Sequence, residues 1–405
     1  MSVAVSNRDV RDLRIGLLWH SLNSGNLGVG ALTLANMAIA RSVAEAQGYR
    51  PHFVVMGMRD SEPPSDDFRG IDNYPIDTRT MLSPKGFWRE AGRVDCVLDI
   101  GAGDSFAEIY GPKRFAFMWL SKWLIARRGV PLLLSPQTIG PFTKPAYRRL
   151  AAVVMRGAAA VVARDEQSLA AARAIAPGAN VLLSADVAFE LPFVDRSAER
   201  ATRGRQKLLR VGINASGLLF HEAETGQNRF GLSMDYAKFT RALITAVQAR
   251  GDAEVHLITH ATSDRDPTDD DRALADRLAA EFPDTIRAPD FAGPSQAKSY
   301  ISSLDFLVAG RMHACIGAFS AGTPVVPVAY SRKFDGLFGM LGYDRMLPVR
   351  GYDDTGAVAF VLDALDRRAE LAATAARGME KVTGLLANYR AALRDLFART
   401  ASRTA

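Results

Sequence analysis

The sequence predicts an α/β protein of two Rossmann-like domains, each built on a parallel sheet, facing one another across a cleft. Three observations predict it. Uninterrupted apolar runs alternate with helical stretches along nearly the whole chain, the pattern of strands covered on both faces by crossover helices. At 405 residues the chain is too long for one ordinary core and suits two. A charged, turn-rich stretch, Asp195 to Lys207, divides the alternation into two series.

The first series predicts a domain over residues 10–194. Leu13 to Trp19 reads as its opening strand, followed by a glycine-bearing loop and a long helix from Val29 to about Gln47 that Gly48 closes. Strands follow at His52 to Met58, Val94 to Ile100, Pro131 to Ser135, Ala159 to Ala163 and Val181 to Ser184, with helices at Lys113 to Arg128, Lys144 to Arg156 and Glu166 to Ile175 between the later ones. Residues 59–90, with Pro63-Pro64 and Asp66-Asp67, read as a long irregular connection at the rim.

The second series predicts a domain over residues 208–353. Its strands are Leu209 to Asn214, Glu254 to Thr259, a short one near Thr285 to Ala288, Leu304 to Ala309 and Val325 to Ala329, and its helices are Asp235 to Arg250, Asp269 to Glu281 and Ser295 to Ser303. The Ala- and Leu-rich pattern from Asp354 to Ala398 predicts C-terminal helices over residues 354–400 that pack back on the first domain, with residues 399–405 fraying.

Composition narrows the function. The 48% hydrophobic and 23% charged content is that of a globular protein. A net charge of +6, with basic residues scattered along the chain, favours anionic ligands and argues against nucleic acid as a partner. Cys96 and Cys315 lie in apolar runs without ligand spacing, so a reducing cytosol is expected and no metal. The charged N-terminal stretch lacks the apolar core of a signal peptide, which again suggests the cytoplasm. FAFMWLSKWLIARR, from Phe115, is too short to cross a bilayer and reads first as a helix buried on the sheet, with peripheral membrane contact at the inner face as the other reading.

Polar residues recur where strands end, and packing alone does not require that. The loop Ser21 to Gly30 carries Ser24 and Asn26, candidates for an acceptor hydroxyl or carboxylate, or simply a turn that needs glycine. Its glycine spacing is not GxGxxG and it has no Walker lysine, so neither a nicotinamide or flavin dinucleotide nor a P-loop nucleotide is supported. Asp104 follows the next glycine turn, either as a hydrogen-bond acceptor for a hydroxylated substrate or as a cap. Gln137 and Arg164 end further strands. His260 holds the corresponding place in the second domain, followed by the acidic run Asp264 to Asp271, which reads as a helix N-terminal charge device ahead of a metal site. The densest cluster is Gly310, Arg311 and His313 between a strand and a helix N-terminus, with Lys333 past the next strand. Backbone N–H groups and the helix dipole favour an anion there; the alternative is a capped and solvated turn. No GxSxG elbow or HExxH motif is present.

Together GLLWHSLNSGNLGVGALT, DIGAGDSF, SPQTIGPF, VARDEQS, SADVAF and VAGRMHACIGAFSAGTPVVPVAYSRKFDGL resemble the polysaccharide pyruvyl transferase family, over about residues 13 to 345. The resemblance implies a fold like that of GT-B glycosyltransferases, phosphoenolpyruvate as donor co-substrate without a further cofactor, and a sugar hydroxyl pair, free or lipid-linked, as acceptor. It implies His313 as the acid/base, with Arg311 and Arg164 holding the donor. Lys333 and Gln137 are then candidate donor ligands, and Ser24, Asn26, Asp104 and His260 candidate acceptor ligands. Gly101-Ala102-Gly103 departs from the more glycine-rich turn expected of the family. The phosphate and carboxylate of phosphoenolpyruvate call for at least two fixed cations, and a histidine titrating near neutrality suits the proton transfers of ketal formation. A GT-B glycosyltransferase using a nucleotide sugar, and a non-catalytic sugar-phosphate binding protein, are the alternative readings.

Overall fold

A computed structural model describes residues 10–23, 25–60, 66–202, 208–263, 267–348 and 350–404. Ser24 and residues 264–266 of the acidic run lie outside the described residues.

Two wholly parallel sheets form the frame. The first contains β1 (Arg11–Leu18), β2 (Tyr49–Gly57), β3 (Asp72–Pro75), β4 (Cys96–Asp99), β5 (Leu132–Gln137), β6 (Ala160–Ala163) and β7 (Val181–Leu183), in the order β3-β2-β1-β4-β5-β6-β7. The second contains β8 (Leu209–Asn214), β9 (Ala253–Leu257), β10 (Ile286–Arg287), β11 (Phe306–Ala309), β12 (Val325–Ala329) and β13 (Leu347–Pro348), in the order β10-β9-β8-β11-β12-β13. The central strands are buried from end to end because helices cover both faces, which is why their sequences are continuously apolar. In each sheet the strand order reverses once, between β1 and β4 and between β8 and β11. Crevices at such reversals, outside the carboxyl ends of the strands, are where open α/β sheets bind ligands.

Of the long connection expected over 59–90, residues 61–65 with Pro63-Pro64 lie outside the described residues, and residues 66–90 are more ordered than their composition suggests. They contribute the edge strand β3 and two short helices, Thr78–Leu82 and Phe87–Ala91, the former closed by a capping box between Asp77 and Thr80. β13 and the helices Gly217–Glu224 and Arg332–Met340 were not evident from pattern, because two residues show no periodicity and each helix follows its strand through a short turn.

The C-terminal helical pattern is two helices, Asp354–Asp366 and Arg368–Thr404. The break at Arg367 has neither glycine nor proline to announce it, and the last helix runs on through residues expected to fray. The first of the pair packs on the second domain, against Tyr236–Ala249. The second packs on the first domain, where the Tyr389 hydroxyl donates to Asn36 Oδ1 (2.6 Å) and hydrogen-bonds Ser135 Oγ (2.9 Å). Asn36 Nδ2 in turn meets His20 Nε2 at 2.9 Å, so a buried polar chain ties the C-terminus to the first sheet.

Among the described residues one helix, Leu27–Ala46, is long and apolar enough to cross a membrane, and it is mostly buried in the core. The aromatic helix Pro112–Arg128 also lies on the first sheet. Its Lys122 is fully buried, with Nζ 3.2 Å from Asp99 Oδ2 and over the ring of Phe106. That pairing is what allows a lysine inside an apolar stripe.

Candidate active site

Three adjacent strand ends of the first domain build one arginine. Arg164 follows β6, its Nε donates to Thr138 Oγ1 (3.0 Å) beyond β5, and its guanidinium meets Asp186 Oδ2 (2.8 Å) beyond β7. Asp186 is fixed in turn because its other oxygen accepts from Ala188 N (2.9 Å), capping the 3-10 helix Val187–Glu190.

The second domain repeats the device with a tighter hold. Arg311 follows β11 and the turn residue Gly310; its Nε and Nη2 reach both oxygens of Asp271, at 2.6 to 3.2 Å, and Nη2 also meets Asp269 Oδ1 at 2.6 Å. Asp271 further accepts from Asn214 Nδ2 (3.1 Å), Gly217 N (2.9 Å) and His260 N (3.3 Å). Burial works against the Arg311 charge, but Asp271 outweighs it and holds the guanidinium firmly protonated. The expectation of a donor clamp at Arg311 therefore meets a guanidinium already engaged by two aspartates. The acidic run serves this pairing as well as the helix start, where Asp270 accepts from Arg272 N (2.8 Å).

His313 stands in the first turn of the helix Met312–Ser320, whose N-terminus has no side-chain cap. Its Nε2 is buried and has no hydrogen-bond partner. A histidine titrating near neutrality was expected; the structure instead pushes His313 down to about 4. Burial is the main cause, and Asp186, which pulls the value up, is offset by Arg164 and Lys333. At neutral pH the cleft thus holds an uncharged His313 imidazole among Arg164, Asp186, Asp104 and Lys333. Gly28 lies directly against the ring: a Cβ there would come within 2.4 Å of His313 Nδ1.

The loop before the first long helix is zipped to the second domain. Leu27 N donates to His260 O (3.1 Å), Thr262 N donates to Gly25 O (2.8 Å), and Asn26 bridges to Ala261. Gly25 has φ +79° and a Cβ there would lie 2.3 Å from Thr262 O, so glycine is required at that contact. Asn26 caps the helix through Gly28 N (2.9 Å). His260 is buried with its pKa lowered to about 3, by burial and then by neighbouring His313. It lines a cavity of about 260 Å³ with Asn23, Leu27, Arg272 and Phe291.

Across the same cleft Lys333 Nζ pairs with Asp104 Oδ2. Tyr110 donates its hydroxyl to the same carboxylate (2.7 Å). Burial would raise the Asp104 carboxyl, but Lys333 and Tyr110 together hold it below its usual value.

Gln137, expected to fix a ligand, has its Oε1 buried against the Gly101 turn without a hydrogen-bond partner. It is fully buried and its amide nitrogen donates to Asp99 O (2.8 Å), to Asp99 Oδ2 (3.3 Å) and to Ser135 O (3.2 Å). Its amide nitrogen belongs to the buried Lys122–Asp99 cluster, where it gives the Asp99 carboxylate a second donor beside Lys122. Residues not singled out from the sequence are Thr138, Asp186 and Tyr330, the last following β12 within electrostatic reach of Arg311 and Asp104; Asp269 and Asp271 were read only as a charge device at a helix start. Asp186 had a signal, a lone acidic residue just past a strand end in SADVAF. Among the described residues no group of three metal-capable side chains occurs.

Known proteins share both the fold and the sequence pattern. A putative UDP-N-acetylglucosamine 2-epimerase from Listeria monocytogenes superposes with a TM-score of 0.55 at 12% identity, covering 90% of this chain and 91% of that one. An α,α-trehalose-phosphate synthase from Burkholderia vietnamiensis does so at 0.52 and 13%, covering 96% and 100%. These likenesses show a GT-B-like architecture. By sequence the chain is 25% identical over 299 residues to amylovoran biosynthesis protein AmsJ of Erwinia amylovora, covering 71% of this chain and 69% of that protein. The family model described as polysaccharide pyruvyl transferase matches residues 34–332, a span that includes Arg164, Arg311 and His313 and stops one residue short of Lys333. With most of its length matched, the chain belongs to the polysaccharide pyruvyl transferase family.

Proposed function

We propose that the protein transfers the enolpyruvyl group of phosphoenolpyruvate to a pair of sugar hydroxyls, forming a pyruvate ketal during polysaccharide or glycolipid synthesis. The observation that carries the reading is His313, a half-buried side chain whose Nε2 is buried and unpartnered, at an uncapped helix N-terminus between two cation–carboxylate pairs in a cleft. Family membership and the likeness to an amylovoran biosynthesis protein support it.

The chemistry follows from the donor's charges. Its phosphate and carboxylate sit against Arg164, Lys333 and the first-turn amides of Met312–Ser320. The bound anion lowers the cost of charging His313 and draws its pKa up from about 4, so that it binds a proton. His313 gives that proton to the methylene carbon, and a sugar oxygen attacks the cationic carbon next to it. The carbon–oxygen bond to phosphate breaks, the second hydroxyl closes the ketal, and the two hydroxyl protons restore His313 and protonate the departing phosphate. Arg311 holds the turn that presents His313. The acceptor enters on the Asn26, Asp104 and His260 side, as a soluble or lipid-linked sugar handled in the cytoplasm or at the inner membrane face.

Incubation with phosphoenolpyruvate and a panel of nucleotide-linked and lipid-linked sugars tests this. The expected result is released phosphate together with an acceptor heavier by one pyruvate ketal, both lost by a factor of roughly 10² to 10⁴ in His313→Gln. Binding of a nucleotide sugar without any binding of phosphoenolpyruvate would contradict it.

A further inference from the structure

Each cation around the cleft already holds a carboxylate: Arg164 holds Asp186, Arg311 holds Asp271 and Asp269, and Lys333 holds Asp104. A donor carrying both a phosphate and a carboxylate must therefore compete with the protein's own anions. The three pairs are not equally able to yield.

Arg164–Asp186 and Arg311–Asp271 each lie within one domain, and in each the aspartate is pinned by backbone amides, Ala188 N for one and Gly217 N and His260 N for the other. Breaking either leaves a buried carboxylate stranded, which is costly. Lys333–Asp104 differs on each count. It joins the two domains across the cleft, and its side chains are 30% and 20% exposed. It is a contact with one flexible ammonium, a point charge on a long stem that can swing without repacking. The Tyr110 hydroxyl remains as a partner for Asp104 when the lysine leaves.

We infer that Asp104 occupies Lys333 in the empty enzyme and yields it to the donor's phosphate, which makes Asp104 a determinant of donor affinity and of the order in which substrates bind. The inference rests on the donor reading above. A monoanion gains little by displacing an equal charge, whereas a phosphate dianion gains the difference, so the pair selects for phosphorylated donors. Once Lys333 has moved, the Asp104 carboxylate is an open hydrogen-bond acceptor facing the cleft. Sugar hydroxyls then find a partner there only after the donor is in place, giving donor-first binding.

The test is calorimetric titration of phosphoenolpyruvate into the full-length wild type, Asp104→Asn, Asp104→Ser and Lys333→Met, with thermal melts to establish that each is folded. Asparagine and serine both keep an acceptor for Tyr110 and remove the competing charge. Exchange predicts phosphoenolpyruvate affinity about 3- to 10-fold tighter in both Asp104 variants and about 10- to 100-fold weaker in Lys333→Met. A folded Asp104 variant that binds equally or more weakly overturns the inference, because a residue that only positions Lys333 would weaken binding when changed. Wild-type protein that binds no phosphoenolpyruvate overturns the donor reading and the exchange with it, a failure distinct from the first.

Discussion

Two arginines occupy corresponding places in the two domains and do different work. Arg164 and Arg311 both follow a buried strand of a parallel sheet and both face an aspartate. Arg164 uses one nitrogen on one carboxylate oxygen and another on a threonine hydroxyl. Arg311 is held by both oxygens of Asp271 and by Asp269, and Asp271 gathers three further donors. The first is a charge with capacity left for a ligand; the second is a strut that fixes the turn before His313. Residue type and strand position are shared, so the acidic neighbours decide the division of labour.

The largest expected effect tests the less encumbered arginine, Arg164. Arg164→Lys removes the planar fork and should lower kcat/KM for phosphoenolpyruvate by roughly 100-fold with little change in melting temperature. An undiminished kcat/KM would erase the distinction from that side. The strut is tested next. Asp271→Asn leaves Arg311 buried against a neutral amide and should cost about 3 to 5 kcal/mol in urea denaturation. Asp186→Asn should cost less, because Arg164 keeps Thr138 and the cleft. Equal losses would mean the two pairs are equivalent.

A smaller effect concerns what the strut positions. Gly28→Ala places a methyl group 2.4 Å from His313 Nδ1 and must displace the ring, so kcat should fall about 10-fold while stability changes by about 1 kcal/mol. The remaining effect is a pH dependence of stability. His20 and His260 are lowered to about 3 and His313 to about 4, each chiefly by burial. Between about pH 6.5 and those values the unfolded chain binds more protons than the folded one, so stability present above pH 6.5 is lost on acidification. The urea midpoint should therefore fall from pH 7 to pH 5, ahead of most carboxylate titration; a flat midpoint would contradict buried neutral histidines.

Much of this was legible in the sequence, and the reasons are local. Continuous apolar strands and helical stretches between them foretold the parallel sheets, and Glu166–Ile175 and Val325–Ala329 match their expected bounds. The strand ends that converge on the cleft were visible as a repetition of polar residues. Partners were not. Gln137 and Arg164 read alike as polar residues after a strand, yet one turns inward to Asp99 and the other toward Asp186. That choice depends on contacts 22 to 38 residues away in the chain. The ordinary titration expected of His313 failed for the same reason, since burial is a property of the assembled cleft.

The central claim is that the donor's charge turns a neutral imidazole, half-buried with its Nε2 enclosed, into a proton carrier. NMR titration of the His313 ring, with and without saturating phosphoenolpyruvate and with His313→Gln as the assignment control, measures it directly. The account predicts a pKa of about 4 in the empty protein that rises toward neutrality when phosphoenolpyruvate binds. A His313 pKa unmoved by bound phosphoenolpyruvate would contradict it.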